Sequence, residues 1–129
     1  DLANRLNEAN LPGVVFDPAT FRPASSKHHG TECYGVRINI MDRTAYQPIR
    51  TGLHILIAAR SQDPANFEFL KPIKEGSNPH YDLIMGSNSI RNQVIDGASA
   101  DEIIKDWAPD LRKFKSQVKP FHLYPQENA

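Results

Sequence analysis

Phe21-Arg-Pro-Ala-Ser-Ser-Lys-His-His-Gly-Thr-Glu-Cys-Tyr-Gly-Val-Arg-Ile-Asn-Ile-Met-Asp42 decides how this chain is read. In its second half Val36, Ile38 and Ile40 alternate with Arg37, Asn39 and Met41. A period of two marks a strand with one buried face. Its first half sets Lys27, His28, His29, Cys33, Gly30 and Gly35 on a connection between two strand-like segments. Binding chemistry concentrates on loops that a rigid scaffold positions.

Working outward, Leu2, Leu6 and Ala9 recur at helical spacing, and Asp1 suits the positive end of a helix. Leu11-Pro12-Gly13 stops that helix, since proline cannot continue it and glycine accepts positive φ. Val14-Val15-Phe16 reads as a short strand, with Phe21 in a second extended piece between Pro18 and Pro23. Asp42 is expected to cap the turn leading to the next helix. That helix begins near Pro48 and runs through Ile49, Leu53, Leu56, Ile57 and Arg60. Gly52 inside it costs up to about 1 kcal/mol against alanine, which a packing or ligand contact would explain.

Further on, Phe67-Glu-Phe-Leu70 reads as a short strand and residues 71–80 as a loop. Asp82-Leu-Ile-Met-Gly86 leads into a short helix near Ser87 to Ile95, closed by Gly97. Ser99-Ala-Asp-Glu102 is a capping box. It opens a helix with the stripe Ile103, Ile104, Trp107, Leu111 and Phe114, which Pro109 kinks or splits. Phe121-His-Leu-Tyr124 reads as a last strand. This order gives an α+β fold, sandwich-like: a small mixed β-sheet covered by helices in a single domain, 1–129.

With 129 residues the chain is long enough to bury a core. Fifteen basic and fifteen acidic side chains cancel, so no net field favours nucleic acid or an anionic membrane. No apolar run nears the roughly 20 residues of a membrane helix. The single cysteine cannot form an internal disulfide. Asp1 opens directly into a helical pattern with no signal-peptide pattern, as in a mature product or an excised domain.

Taken residue by residue, the chemistry is sparse. His28, His29 and Cys33 lack the second ligand pair a zinc site shows, and solvated histidines are the plainer reading. Cys33 has no identifiable orienting partner as a nucleophile and reads as a small buried hydrophobe. Glu32 and Asp42 stand ten residues apart, roughly 33 Å if extended, too far for a carboxylate pair. Lys27 with Gly30 and Gly35 could cradle an anion, but no phosphate loop or dinucleotide fingerprint is present. Trp107 reads as core rather than as a platform for sugars.

End to end, the chain resembles the C-terminal domain of the NamZ-type exo-β-N-acetylmuramidases. The likeness rests on Leu11-Pro12-Gly13-Val14, Phe21-x-Pro23 with Ser26-Lys27, and Gly30-x-x-Cys33-x-Gly35-Val36. It continues through Asp42, Pro48-x-x-x-Gly52-Leu53 and Asp82-Leu83-x-x-Gly86, then Gly97, Ile103, Trp107, Phe114 and Leu123-Tyr124. Two positions depart from the family: Ala24 stands where threonine is usual, and Tyr34 where glycine is frequent.

The resemblance implies a two-domain hydrolase that removes N-acetylmuramic acid from peptidoglycan fragments. Its catalytic carboxylate would lie in an N-terminal Rossmann-like domain, leaving no catalytic residue, metal or cofactor here. This domain would close one side of the cleft, with Ser26, Lys27, His28, His29 and Gly35 meeting substrate. The partners implied are that N-terminal domain and peptidoglycan amino sugars, in a periplasmic or secreted bacterial protein, although a cytoplasmic recycling enzyme of similar chemistry is conceivable. The alternatives are a purely structural domain that touches no sugar and, from another class, a self-sufficient small hydrolase. The latter needs a carboxylate pair or nucleophile–base set that the sequence does not display.

Overall fold

The computed structural model describes residues 1–124. It contains α1 (Leu2–Glu8), β1 (Val14–Phe21), β2 (Cys33–Ile40), α2 (Pro48–Gln62), α3 (His80–Met85), α4 (Ser89–Ile95) and α5 (Ala100–Val118). A short 3₁₀ turn follows at Lys119–Phe121. The α+β class holds. Residues cluster into two compact units, 1–64 and 65 onward.

In the first unit Asp1 caps α1 by accepting from the Asn4 amide at 2.9 Å. The two strands pair antiparallel from Val14↔Ile40 to Phe21↔Cys33. Ala3, Leu6, Leu11, Phe16 and Ala58 form the core, with Leu2, Val14, Val36 and Ile55 packed against it. Fully burying a side chain such as Leu6 or Phe16 contributes roughly 1.5–3 kcal/mol. Gly13 (φ 69°) makes the turn into β1, and its carbonyl accepts from the Met41 and Asp42 amides at 2.8 and 3.2 Å. A Cβ there would press on the Asp42 carbonyl oxygen and the Tyr46 amide, so only glycine fits.

One side chain caps the outer side of β1 at Phe16. Asn7 of α1 accepts from the Phe16 amide at 2.9 Å and donates to the Phe16 carbonyl at 2.8 Å. Its carboxamide thus acts as a one-residue third strand. Phe16 therefore turns both backbone groups away from β2. By the antiparallel alternation Pro18, two residues on, has its nitrogen on the same outer side and costs the ladder nothing. This is why β1 runs unbroken through Pro18, where the sequence predicts two pieces.

The face read from Val36, Ile38 and Ile40 is the helix-facing one, yet its cover is uneven. Val36 packs on the core, while Ile38 and Ile40 remain 45% and 47% exposed. Asp42 caps its turn as expected, accepting from the Thr44 amide and hydroxyl at 2.8 and 2.7 Å. Gly52 has open space where a Cβ would stand, so no contact explains it.

The second unit departs more from the expectations. Among the described residues the sheet consists of β1 and β2, paired antiparallel, and neither Phe67–Leu70 nor Phe121–Tyr124 is a strand. Phe67–Leu70 keeps a strand's alternation, but Phe69 spends it on ring contacts to Phe67 (5.3 Å, edge-on) and Tyr81 (4.9 Å). Phe121 lies in the 3₁₀ turn, and Leu123 and Tyr124 follow almost fully exposed. An unexpected helix, α3, precedes α4 and is closed by Gly86 at φ 71°. α5 has the expected capping box and passes through Pro109 as one helix. Its stripe is buried only at the start: Ile103 is enclosed, but Leu111 and Phe114 are exposed. Among the described residues no helix is long and apolar enough to cross a membrane.

Candidate functional site

The connection between the strands is residues 22–32, shorter than the 21–35 expected because Cys33, Tyr34 and Gly35 already belong to β2. It is tied by backbone bonds across itself. The Gly30 amide donates to the Pro23 carbonyl at 2.9 Å, and the Thr31 amide to His28 at 3.0 Å. Arg22 donates through Nη1 to the Gly30 carbonyl at 3.2 Å. These bonds hold alternate residues in the left-handed region: Ser26 at φ 66°, His28 at φ 58° and Gly30 at φ 71°. For Ser26 and His28 that conformation costs of order 1–3 kcal/mol each, and such strain gathers at ligand clamps and switch regions.

Ser26, Lys27, His28 and His29 stand together at this tip, all exposed. Gly35 is placed elsewhere, in β2 opposite Ala19, and the Phe21 ring lies over it. A Cβ on Gly35 would meet the Phe21 Cε1 at 3.2 Å. Gly35 also lines a hollow of about 400 Å³ with Leu2, Pro18, Thr20, Tyr34 and Gln62. At its edge the Tyr34 hydroxyl donates to Glu32 Oε2 at 2.7 Å. That hydrogen bond, with a lesser contribution from desolvation, raises the phenol above its ordinary range.

Cys33 is half-buried and points its thiol at the Thr31 carbonyl, 3.6 Å away. Among the described residues no three His, Cys, Asp or Glu side chains converge as metal ligands. What the tip offers is a cation, two imidazoles, a hydroxyl and a strained backbone, all exposed. It does not itself place an acid opposite a base.

Sequence reasoning missed a buried ion pair in the second unit. Asp82, 6% exposed, takes a bidentate grip on Arg91: Nε to Oδ1 at 2.7 Å and Nη2 to Oδ2 at 2.9 Å. It fastens α3 to α4 across nine residues, a spacing without a local signature. A hollow of about 220 Å³ borders it, lined by Asn78, Ser87 and Asn88 among others.

Residues 1–124 match the family model described as exo-β-N-acetylmuramidase NamZ, C-terminal. The chain is 34% identical over 124 residues to the peptidoglycan β-N-acetylmuramidase NamZ of Bacillus subtilis (strain 168), covering 96% of this chain and 28% of that protein. It also superposes on the crystal structure of a DUF1343 family protein from Bacteroides fragilis NCTC 9343. The TM-score is 0.82 at 23% identity, over 96% of this chain and 32% of that one. The chain thus spans about a third or less of the relatives it matches.

Proposed function

This chain belongs to the family of NamZ C-terminal domains, and from that premise we propose that it serves as the accessory domain of a peptidoglycan β-N-acetylmuramidase. In this reading an N-terminal catalytic domain of the same polypeptide carries the reacting carboxylate. The domain described here forms one wall of the substrate cleft. No residue of this chain enters the chemistry; Ser26, Lys27, His28 and His29 contact substrate from the hairpin tip, and Gly35 supports the tip beneath Phe21. Lys27 meets the lactyl carboxylate that distinguishes N-acetylmuramic acid from other amino sugars, and His28 or His29 bonds sugar hydroxyls. In this reading the substrate is a wall fragment and the enzyme works in the periplasm or outside the cell, with a cytoplasmic recycling role as the alternative.

The observation that carries this reading is the backbone of the tip. Ser26 and His28 hold positive φ without being glycine, in a loop fastened by its own hydrogen bonds. Such strain persists where the surroundings enforce it, and a recognition surface is a reason to keep it. The test is Lys27→Ala in the full-length enzyme. Losing a charge-assisted hydrogen bond to a carboxylate is expected to lower kcat/KM roughly tenfold to a hundredfold. An unchanged kcat/KM rules out the role given to Lys27.

One observation favours a second reading, a structural domain that touches no sugar. Gly35 is accounted for by the Phe21 ring alone, without a ligand. A full-length structure in which residues 22–32 pack on the partner domain and leave the sugar uncontacted would decide for that version.

A further inference from the structure

The two edges of the β1–β2 ribbon differ. On the β1 side Asn7 occupies both backbone groups of Phe16, and Pro18 offers no N–H. Because the backbone N–H and C=O of Phe16 point away from β2 and Phe16 pairs with Ile38, that pair exchanges no ladder bonds. Tyr34, Val36, Ile38 and Ile40 therefore present their N–H and C=O groups along the outer edge of β2. Among the described residues no hydrogen bond reaches these groups. Tyr34 is 78% exposed, and Ile38 and Ile40 nearly half exposed. β2 holds no proline, no lysine and no bulge in its eight-residue register, and Arg37 is its one charged side chain.

We propose that the outer edge of β2 receives an extended segment from the part of the longer protein lying outside this chain, which adds a third strand to the ribbon. The proposal rests on the reading of this domain as one part of a two-domain enzyme. The relatives matched are about three times as long as this chain, so the polypeptide to supply the strand is expected on the same molecule. Tethered pairing has an effective concentration of order millimolar, well above that of a second copy. The incoming strand sets apolar side chains at alternate positions beside Ile38 and Ile40, and polar ones beside Arg37 and Asn39. The β1 edge is capped at its middle, at Phe16 and Pro18, whereas the β2 edge has no such cap among the described residues.

The experiment is amide hydrogen exchange on the full-length protein. The ladder amides of Arg37 and Asn39 serve as the internal standard and the Lys27 amide as the exposed reference. The outward amides of Val36, Ile38 and Ile40 are expected to exchange within about tenfold of the ladder and at least ~100-fold more slowly than Lys27. Outward amides exchanging as fast as Lys27 overturn the proposal. Protection that disappears on dilution marks pairing with a second copy and overturns the occupant named. Ile38→Pro removes one outward N–H without touching the ladder. It is expected to speed exchange at Val36 and Ile40 at least tenfold while Arg37 and Asn39 hold; no change there contradicts the added strand. If the proline also loosens the ladder, the wild-type comparison decides alone. An unprotected edge in an enzyme that still depends on Lys27 sinks this inference and leaves the cleft reading intact.

Discussion

Replacing Asn7 tests how the first unit is held. Its carboxamide makes two hydrogen bonds of 2.8 and 2.9 Å to one residue, Phe16, whose side chain is 2% exposed. A neutral hydrogen bond contributes a net 0.5–1.5 kcal/mol or so, and a half-buried backbone group left unpaired costs towards the upper end. Two such bonds give about 1–3 kcal/mol. Alanine returns roughly 0.5 kcal/mol, because asparagine is a poor helix former and Asn7 sits in α1. Asn7→Ala is therefore expected to destabilise by about 1.5 kcal/mol in urea denaturation, a drop in Tm of roughly 5–8 °C. Asn7→Asp sharpens the test. A carboxylate still accepts from the Phe16 amide but repels the Phe16 carbonyl, so this variant should be at least as unstable at neutral pH. Protonation restores a donor, so its deficit should shrink towards pH 3. A loss below about 0.5 kcal/mol for Asn7→Ala, or an Asp variant indifferent to pH, would refute the third-strand account.

Other expectations follow from single positions. Gly52→Ala, with open space at its Cβ, should stabilise by about 0.5–1 kcal/mol, whereas Gly13→Ala should cost more than about 2 kcal/mol through backbone contact at positive φ; both are read in thermal melts. Asp82→Ala leaves a partly buried guanidinium without its carboxylate and should cost about 2–4 kcal/mol, measured the same way. The Thr44 hydroxyl and amide hold the Asp42 carboxyl below its ordinary value, and the Ser99 amide and hydroxyl do so for Glu102. Depressed folded values mean that their stabilisation is complete above about pH 4–5 and is lost as the pH falls through the folded values. Asp42→Asn and Glu102→Gln should each flatten the acid limb of a Tm–pH profile.

What the sequence disclosed is what short-range physics controls. Pro12-Gly13, Pro48 and the Ser99–Glu102 box act within one turn of chain, and the helices they bound lie where they predict. The alternation of Val36, Ile38 and Ile40 gave the strand and its core-facing side. What escaped needed partners far apart in the chain. Asn7 is an ordinary helix residue until Phe16 is laid beside it, and Asp82 gives no sign of Arg91 nine positions on. Phe67–Leu70 and Phe121–Tyr124 have strand composition, but composition supplies no neighbouring strand. At the candidate site the polar density of residues 26–29 was legible. Its left-handed backbone was not, because serine and histidine do not announce positive φ. Gly35 was legible as a position that tolerates no side chain, but the Phe21 ring over it was not.

The most direct test is a titration of the full-length protein, isotope-labelled at lysine and histidine, with the N-acetylmuramic acid–N-acetylglucosamine disaccharide. Saturable chemical-shift changes at Lys27, His28 and His29, weakened when the lactyl carboxylate is absent from the sugar, are the expected result. Saturation of the enzyme with those three residues unmoved would contradict the account and leave the domain a structural partner of its cleft.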